Sequence, residues 1–237
     1  MNLAAQADRL YGEGRLLDAI DVLGATLRND PTDQKSRMFL FELLCFSGSY
    51  ERARKQLDAL QTADPDAHLS IAWYHEALTA EERRQTMFRD HDYPDITADS
   101  KMVHGTLNGR RFADLRDADP RIGARLEAII GGQYAWIPFR HLTSLRASAP
   151  AQLRDLFWMP ASIEGSEELA HYEGAVLLPV LTPLAWQHAD ESVQLGRITE
   201  WQELEGLGEV PVGQKLWMVD DEEVPILEVR ELIVDAP

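Results

Sequence analysis

LYGEGRLLDAIDVLGATLRNDP, residues 10–31, is answered 34 residues later by LCFSGSYERARKQLDALQTADP, residues 44–65. Leu10, Gly14, Ala19, Leu23 and Pro31 recur as Leu44, Gly48, Ala53, Leu57 and Pro65. A period of this length, with a large apolar residue, a turn glycine, a small residue, a second large apolar and a closing proline, is the tetratricopeptide pattern. Each position has a physical cause. The glycine lies where the chain must reverse between two antiparallel helices. The alanine lets those helices approach closely. The Asp30-Pro31 and Asp64-Pro65 pairs end one hairpin and frame the next.

This register predicts helices over 2–12 and 15–28, then 34–46 and 50–62. A fifth helix over 67–80 keeps it, since Leu78 follows Leu44 by 34 residues. The glycine and alanine positions then become Glu82 and Met87, so 81–89 reads as a short capping helix over the last apolar face. Pro94 and the acids Asp92, Asp95 and Asp99 mark a linker over 91–102. The expected fold is therefore a two-domain α+β chain. Residues 1–90 form tetratricopeptide-like helical hairpins, and 103–237 form an α+β domain with a largely antiparallel sheet.

Composition narrows the function classes. Across 237 residues, 45% hydrophobic and 27% charged residues describe a globular protein. No apolar run reaches the ~20 residues that span a bilayer. The N-terminus lacks the order of a signal peptide, and a cytoplasmic location is the default expectation. Cys45 stands alone, which leaves no internal disulfide and no cysteine-rich metal site. The net charge of −17 is concentrated at one end: residues 151–237 carry 4 basic against 18 acidic side chains. Phosphate binding needs clustered positive charge, so nucleic acid is not the expected partner.

In the second domain, 103–107 and 110–115 flank Asn108-Gly109, a type I′ hairpin signal. Asp119, Pro120, an apolar face of Ile122, Leu126, Ile129 and Ile130, and a Gly131-Gly132 stop predict a helix. A strand is expected over 134–139 and a helical turn or two over 141–148. Residues 153–161 and 175–181 read as strands interrupted by Pro160 and Pro179. A loop follows over 185–192, and a strand and turn over 193–204. Residues 215–219 and 224–234 read as a closing hairpin around the acidic run 220–223. Trp136, Phe139, Phe157, Trp158 and Trp217 are expected to fill the second core, and Trp73 and Tyr74 to pack the fifth helix onto the linker or onto that domain.

Little in this chain points to a reaction. Asp114, Asp117 and Asp119 lack the glycine and terminal glutamate of a calcium loop. The seven histidines are scattered, without the paired spacing zinc requires. Gly131-Gly132-Gln133 matches the tripeptide of peptide-release factors, but a helix stop in an acidic chain accounts for it better. There is no Gly-x-Ser-x-Gly, no phosphate loop and no dinucleotide fingerprint. No cofactor is implied.

Six blocks in order carry a resemblance. They begin at Phe112 (FADLRDADPRIG), Tyr134 (YAWIPF), Leu153 (LRDLFWMPA), Gly174 (GAVLLPVL), Leu195 (LGRITEW) and Leu227 (LEVREL). With the helical region before them, they resemble the ImpE/TagJ (SciE-type) family of type VI secretion accessory proteins over nearly the whole chain. One block departs: where the family tends to read Tyr-Pro-Gly-Ser, this chain has Thr182-Pro183-Leu184-Ala185.

The resemblance implies a non-catalytic adaptor of the contractile sheath. It would bind the N-terminal helix of the small sheath subunit TssB and assist the sheath-dismantling ATPase ClpV. A helical array suited to holding a helix agrees with that. The first helix of each hairpin lines the concave side of such arrays. The register places Ala4, Asp8 and Tyr11 there, then Lys35, Met38, Glu42, Cys45 and Phe46, then Leu69, Ala72 and Glu76. The partner-binding candidates are Tyr11, Met38, Glu42, Phe46, Leu69, Ala72 and Glu76. Two rivals stand beside this reading. One is an enzyme with its site in 100–237 and the repeats as a docking arm; the other is a scaffold for an unrelated partner. A compact pocket with convergent polar groups and perturbed acids favours the enzyme. An apolar groove long enough for three helical turns favours the adaptor.

Overall fold

The computed structural model describes residues 3–63, 68–94, 102–166, 169 and 174–235, with side chains left undescribed at 68–70. The repeats fold as two hairpins, α1 (Leu3–Gly12) with α2 (Leu16–Asn29) and α3 (Gln34–Phe46) with α4 (Tyr50–Ala63). Gly14 and Gly48 turn them at φ of 81° and 66°, a region that favours glycine. Ala19, Leu23, Ala53 and Leu57 have no exposed surface. Asp33 caps α3, accepting the Ser36 N–H at 3.1 Å. Pro65 lies outside the described residues.

α5 (His68–Arg89) is one helix, not a repeat helix followed by a cap. Where the register fails, no glycine or proline replaces it, so nothing stops the helix. Its second half instead turns Glu81, Arg84, Gln85 and Phe88 onto the other domain, all buried. Of the expected linker, 95–101 lies outside the described residues.

Thirteen strands follow among the described residues. They are β1 (Gly105–Leu107), β2 (Arg110–Phe112), β3 (Leu115–Asp117), β4 (Arg125–Ile130), β5 (Gln133–Pro138), β6 (Leu142–Ala147) and β7 (Trp158–Gly165). Next come β8 (Gly174–Pro179), β9 (Thr199–Leu204), β10 (Gly208–Gly213), β11 (Leu216–Val219), β12 (Glu222–Pro225) and β13 (Glu231–Val234). Eight of them make one antiparallel sheet in the order β2-β1-β13-β6-β7-β8-β4-β5. β12-β11-β3 and β10-β9 form two smaller sheets. Asn108 and Gly109 join β1 to β2, both at positive φ as a type I′ turn requires.

Four sequence expectations change. The helix expected from Asp119 to Ile130 is a turn followed by β4. Its apparent helical face arises because β4 lies inside the large sheet and is buried on both sides. Leu126 and Ala128 face one core while Ile129 faces the other, so polar and apolar residues do not alternate. The turns expected over 141–148 are a 3-10 turn at Phe139–His141 and then β6. Leu153–Leu156 is a 3-10 turn, and the strand starts only at Trp158. The last hairpin is broken by a 3-10 turn at Ile226–Glu228, and β13 crosses back to pair with β1 and β6.

The large sheet separates two cores. Beneath it, Phe139 and Trp217 meet edge-on at 5.3 Å among Leu126, Val176, Leu178 and Ile226. Above it, the five helices share one continuous core with Ile129, Trp158, Leu177 and Leu181. Phe157 and Trp158 belong to this upper core, not the lower one where the sequence put them. Trp136 packs against Phe88 of α5 at 5.8 Å.

Candidate functional site

Where α1 and α3 lie side by side they leave an open groove of about 570 Å³. Ala4, Asp8 and Tyr11 form one wall. Lys35, Met38, Phe39 and Glu42 form the other, and Leu153 closes the end from the second domain. The groove lining runs from Ala4 to Tyr11 on α1 and from Lys35 to Glu42 on α3, roughly 10 Å at the ~1.5 Å rise of a helix and about two turns, short of three. The lining is mainly apolar: Tyr11 and Phe39 meet edge-on at 6.0 Å, beside Met38.

The walls are held from the second domain. Arg197 lies over the Tyr11 ring at 4.9 Å, donates to the Gly12 carbonyl at 2.9 Å, and also bonds the Tyr11 carbonyl. Arg154 lies over Tyr74 at 5.3 Å and donates to Glu42 at 3.4 Å. Burial pushes the Glu42 carboxyl up to about 7 against the opposing pull of Arg154. The groove thus holds an acid poised near neutrality at its floor, with Asp8 and Lys35 exposed at its mouth.

Of the sequence candidates, Tyr11, Met38 and Glu42 come together here, with Ala4, Asp8 and Lys35. Phe46 is corrected out of the set: it is buried and packs edge-on against Phe157 at 5.3 Å. The sheet covers what an open array would expose at that position, and Cys45 is buried for the same reason. Ala72 is half-buried and Glu76 exposed on α5, with Glu76 against Gly132 rather than in the groove. The Leu69 side chain lies outside the described residues. Phe39 and Leu153 were missed. Phe39 sits one position off the stripe that the register selects, and Leu153 arrives from the other domain.

Convergent acids and bases also occur, paired directly with one another between α5 and the sheet. Arg84 donates to both carboxylate oxygens of Glu127, at 2.7 and 3.2 Å, to Glu81 at 3.0 Å and to the Leu181 carbonyl at 2.9 Å. Lys215 reaches Glu127 at 2.5 Å and Asp117 at 2.6 Å. The Tyr134 hydroxyl also donates to Glu127. Burial alone would raise the Glu127 carboxyl; Arg84 and Lys215 outweigh it and hold it below its usual range. Arg84, Gln85 and Leu181 line a cavity of about 10 Å³, about the size of one water, and Tyr134 borders an open depression of about 530 Å³ beside Arg83 and Gln133. The cluster joins α5 to the sheet through the Arg84–Glu127 pair. Asp119 is likewise engaged, by the Arg121 guanidinium at 2.6 Å and the Arg121 N–H at 3.0 Å. Among the described residues, no group of three or more His, Cys, Asp or Glu could hold a metal. No helix there is long and apolar enough to cross a membrane.

The chain is 33% identical to the type VI secretion system accessory component TagJ of Pseudomonas aeruginosa PAO1, over 98% of this chain and 92% of that protein. Its fold matches the crystal structure of protein VPA1032 from Vibrio parahaemolyticus, with a TM-score of 0.84 over 97% of each chain at 21% identity. Residues 10–73 match the tetratricopeptide repeat family, and residues 109–233 match the ImpE protein family. With a repeat array on an antiparallel sheet and these matches, the chain belongs to the ImpE family.

Proposed function

We propose that this chain serves type VI secretion as a non-catalytic accessory adaptor, holding the N-terminal helix of the small sheath subunit TssB in the α1–α3 groove. Assistance to ClpV follows by presenting that subunit to the ATPase. The observation that carries the reading is the groove itself: mainly apolar, open, about two turns long by the ~1.5 Å rise of a helix, and braced by Arg197 and Arg154. An amphipathic helix lays its apolar face into such a groove. The similarity to an accessory component of type VI secretion supplies the pathway.

The test is calorimetry of the purified protein with a synthetic peptide of the TssB N-terminal helix. Micromolar affinity is expected, about −8 kcal/mol, with a negative heat-capacity change from apolar burial. Met38→Asp should weaken binding at least tenfold while circular dichroism stays unchanged. Full affinity in a folded Met38→Asp protein would place the helix elsewhere, and no binding by the parent would remove the adaptor reading.

A further inference from the structure

Away from the groove, β9 is a strand with one side unused. Among the described residues it pairs with β10 alone, in register from Thr199 opposite Gly213 to Leu204 opposite Gly208. β10 runs against the body, with Val210, Pro211 and Gly213 buried, whereas Glu200, Trp201, Gln202 and Glu203 of β9 are exposed. Trp201 is 38% exposed and the preceding Ile198 44% exposed.

The ladder's phase fixes which backbone groups face outward. The Gly213 N–H donates to Thr182 Oγ1 at 2.9 Å and its carbonyl accepts the Thr182 N–H at 2.8 Å, both away from β9. Opposed residues of an antiparallel pair alternate between bonded and non-bonded. Thr199/Gly213, Trp201/Pro211 and Glu203/Glu209 are therefore the non-bonded pairs. Pro211, which has no N–H to give, fits that phase. The N–H and carbonyl groups of Trp201 and Glu203 thus point out along the free edge, in the arrangement that accepts an added strand.

Charge selects what is added. Glu203 and Glu209 stand directly opposite each other, and Glu200 and Glu205 are exposed nearby. Like charges across a strand pair are unfavourable, so these carboxylates repel a second copy of the edge and any acidic chain. A cationic strand relieves that repulsion, and the exposed Trp201 ring offers a face to a Lys or Arg. We propose that the outer edge of β9 accepts an extended, Lys- or Arg-bearing segment of a partner protein as a third strand of the β10–β9 sheet.

The test uses ¹⁵N-labelled full-length protein and a capped nine-residue peptide alternating Lys and Val. Amide exchange at Trp201 and Glu203 should slow at least tenfold on adding the peptide, while Gln202, already bonded to β10, stays as it was. The same peptide N-methylated at every backbone nitrogen should give no slowing, and neither should the Glu–Val peptide. Joint Glu200→Lys and Glu203→Lys substitution should weaken the Lys–Val peptide at least tenfold. No slowing at Trp201 and Glu203 would overturn the proposal. So would equal slowing by the N-methylated peptide, which signals charge attraction alone, or slowing that grows with protein concentration without peptide, which signals a second copy.

Discussion

Gly48 sits flat against the indole of Trp186: a β-carbon built on it would stand 2.4 Å from Cδ2 of that ring. The turn glycine of the second hairpin therefore meets two demands, a left-handed backbone and a surface on which the other domain rests.

Its counterpart in the first hairpin separates those demands. Gly14 also has positive φ, but its nearest neighbours, Arg197 and Ser192, would lie 3.6 Å from a β-carbon. Gly14→Ala should cost only backbone strain, ~1–2 kcal/mol. Gly48→Ala should add the overpacking penalty of ~1–3 kcal/mol. Urea unfolding of both variants measures the gap, and equal losses would mean that Trp186 gives way freely.

Arg84 is the second point of attachment. Arg84→Met leaves Glu127 and Glu81 with less counter-charge inside the molecule, a change that typically costs ~3–5 kcal/mol. Arg84→Lys should recover little of it, because one ammonium cannot span both Glu127 oxygens and reach Leu181. Denaturation midpoints decide this; a loss below ~1 kcal/mol for Arg84→Met, the scale of exposed pairs, would show that the network does not hold the layers together.

Glu42 makes stability depend on pH. Its folded value of about 7 lies above the ordinary 4.5, so between those values the folded chain binds more protons than the unfolded one. That contribution is present at low pH and is lost as pH rises towards 7. At ~1.4 kcal/mol per unit, the loss is at most ~3.5 kcal/mol. Unfolding free energies at pH 5 and pH 8 should show Glu42→Gln gaining on the parent by ~1–3 kcal/mol at the higher pH. Parallel profiles would contradict the assignment.

Leu184 occupies the left-handed region at φ 62°, with its N–H held by Gln85 at 2.8 Å. It is the position where the ImpE/TagJ pattern tends to carry glycine. A leucine there costs ~1–2 kcal/mol, and glycine's greater unfolded freedom returns ~0.5–1 kcal/mol of that. Leu184→Gly should leave the melting temperature unchanged or raise it, whereas a marked drop would show that the leucine side chain contributes more than its backbone strain costs.

The legible parts of this chain were those written at long period or in local turn chemistry. The 34-residue repeat placed four helices to within a residue or two, and Asn108-Gly109 placed a hairpin. β4 was illegible because burial on both faces erases alternation, leaving Ile122, Leu126 and Ile129 to imitate a helix. Ala4, Asp8, Tyr11, Lys35, Met38 and Glu42 of the groove walls followed from register, and Phe39 beside them did not. Leu153 and the occlusion of Phe46 did not, since both depend on where a distant sheet comes to rest, and no local pattern encodes that.

Open arrays of helical hairpins behave as soft springs, because each repeat touches only its neighbours. Here the first turn is bolted by Arg197 to the loop after α6 (Glu191–Gln194), the second by Trp186, and the last helix by Arg84 to β4, beside the edge strand of the large sheet. The spring is splinted along its length. A load on a helix seated between α1 and α3 would pass to the sheet through these three contacts.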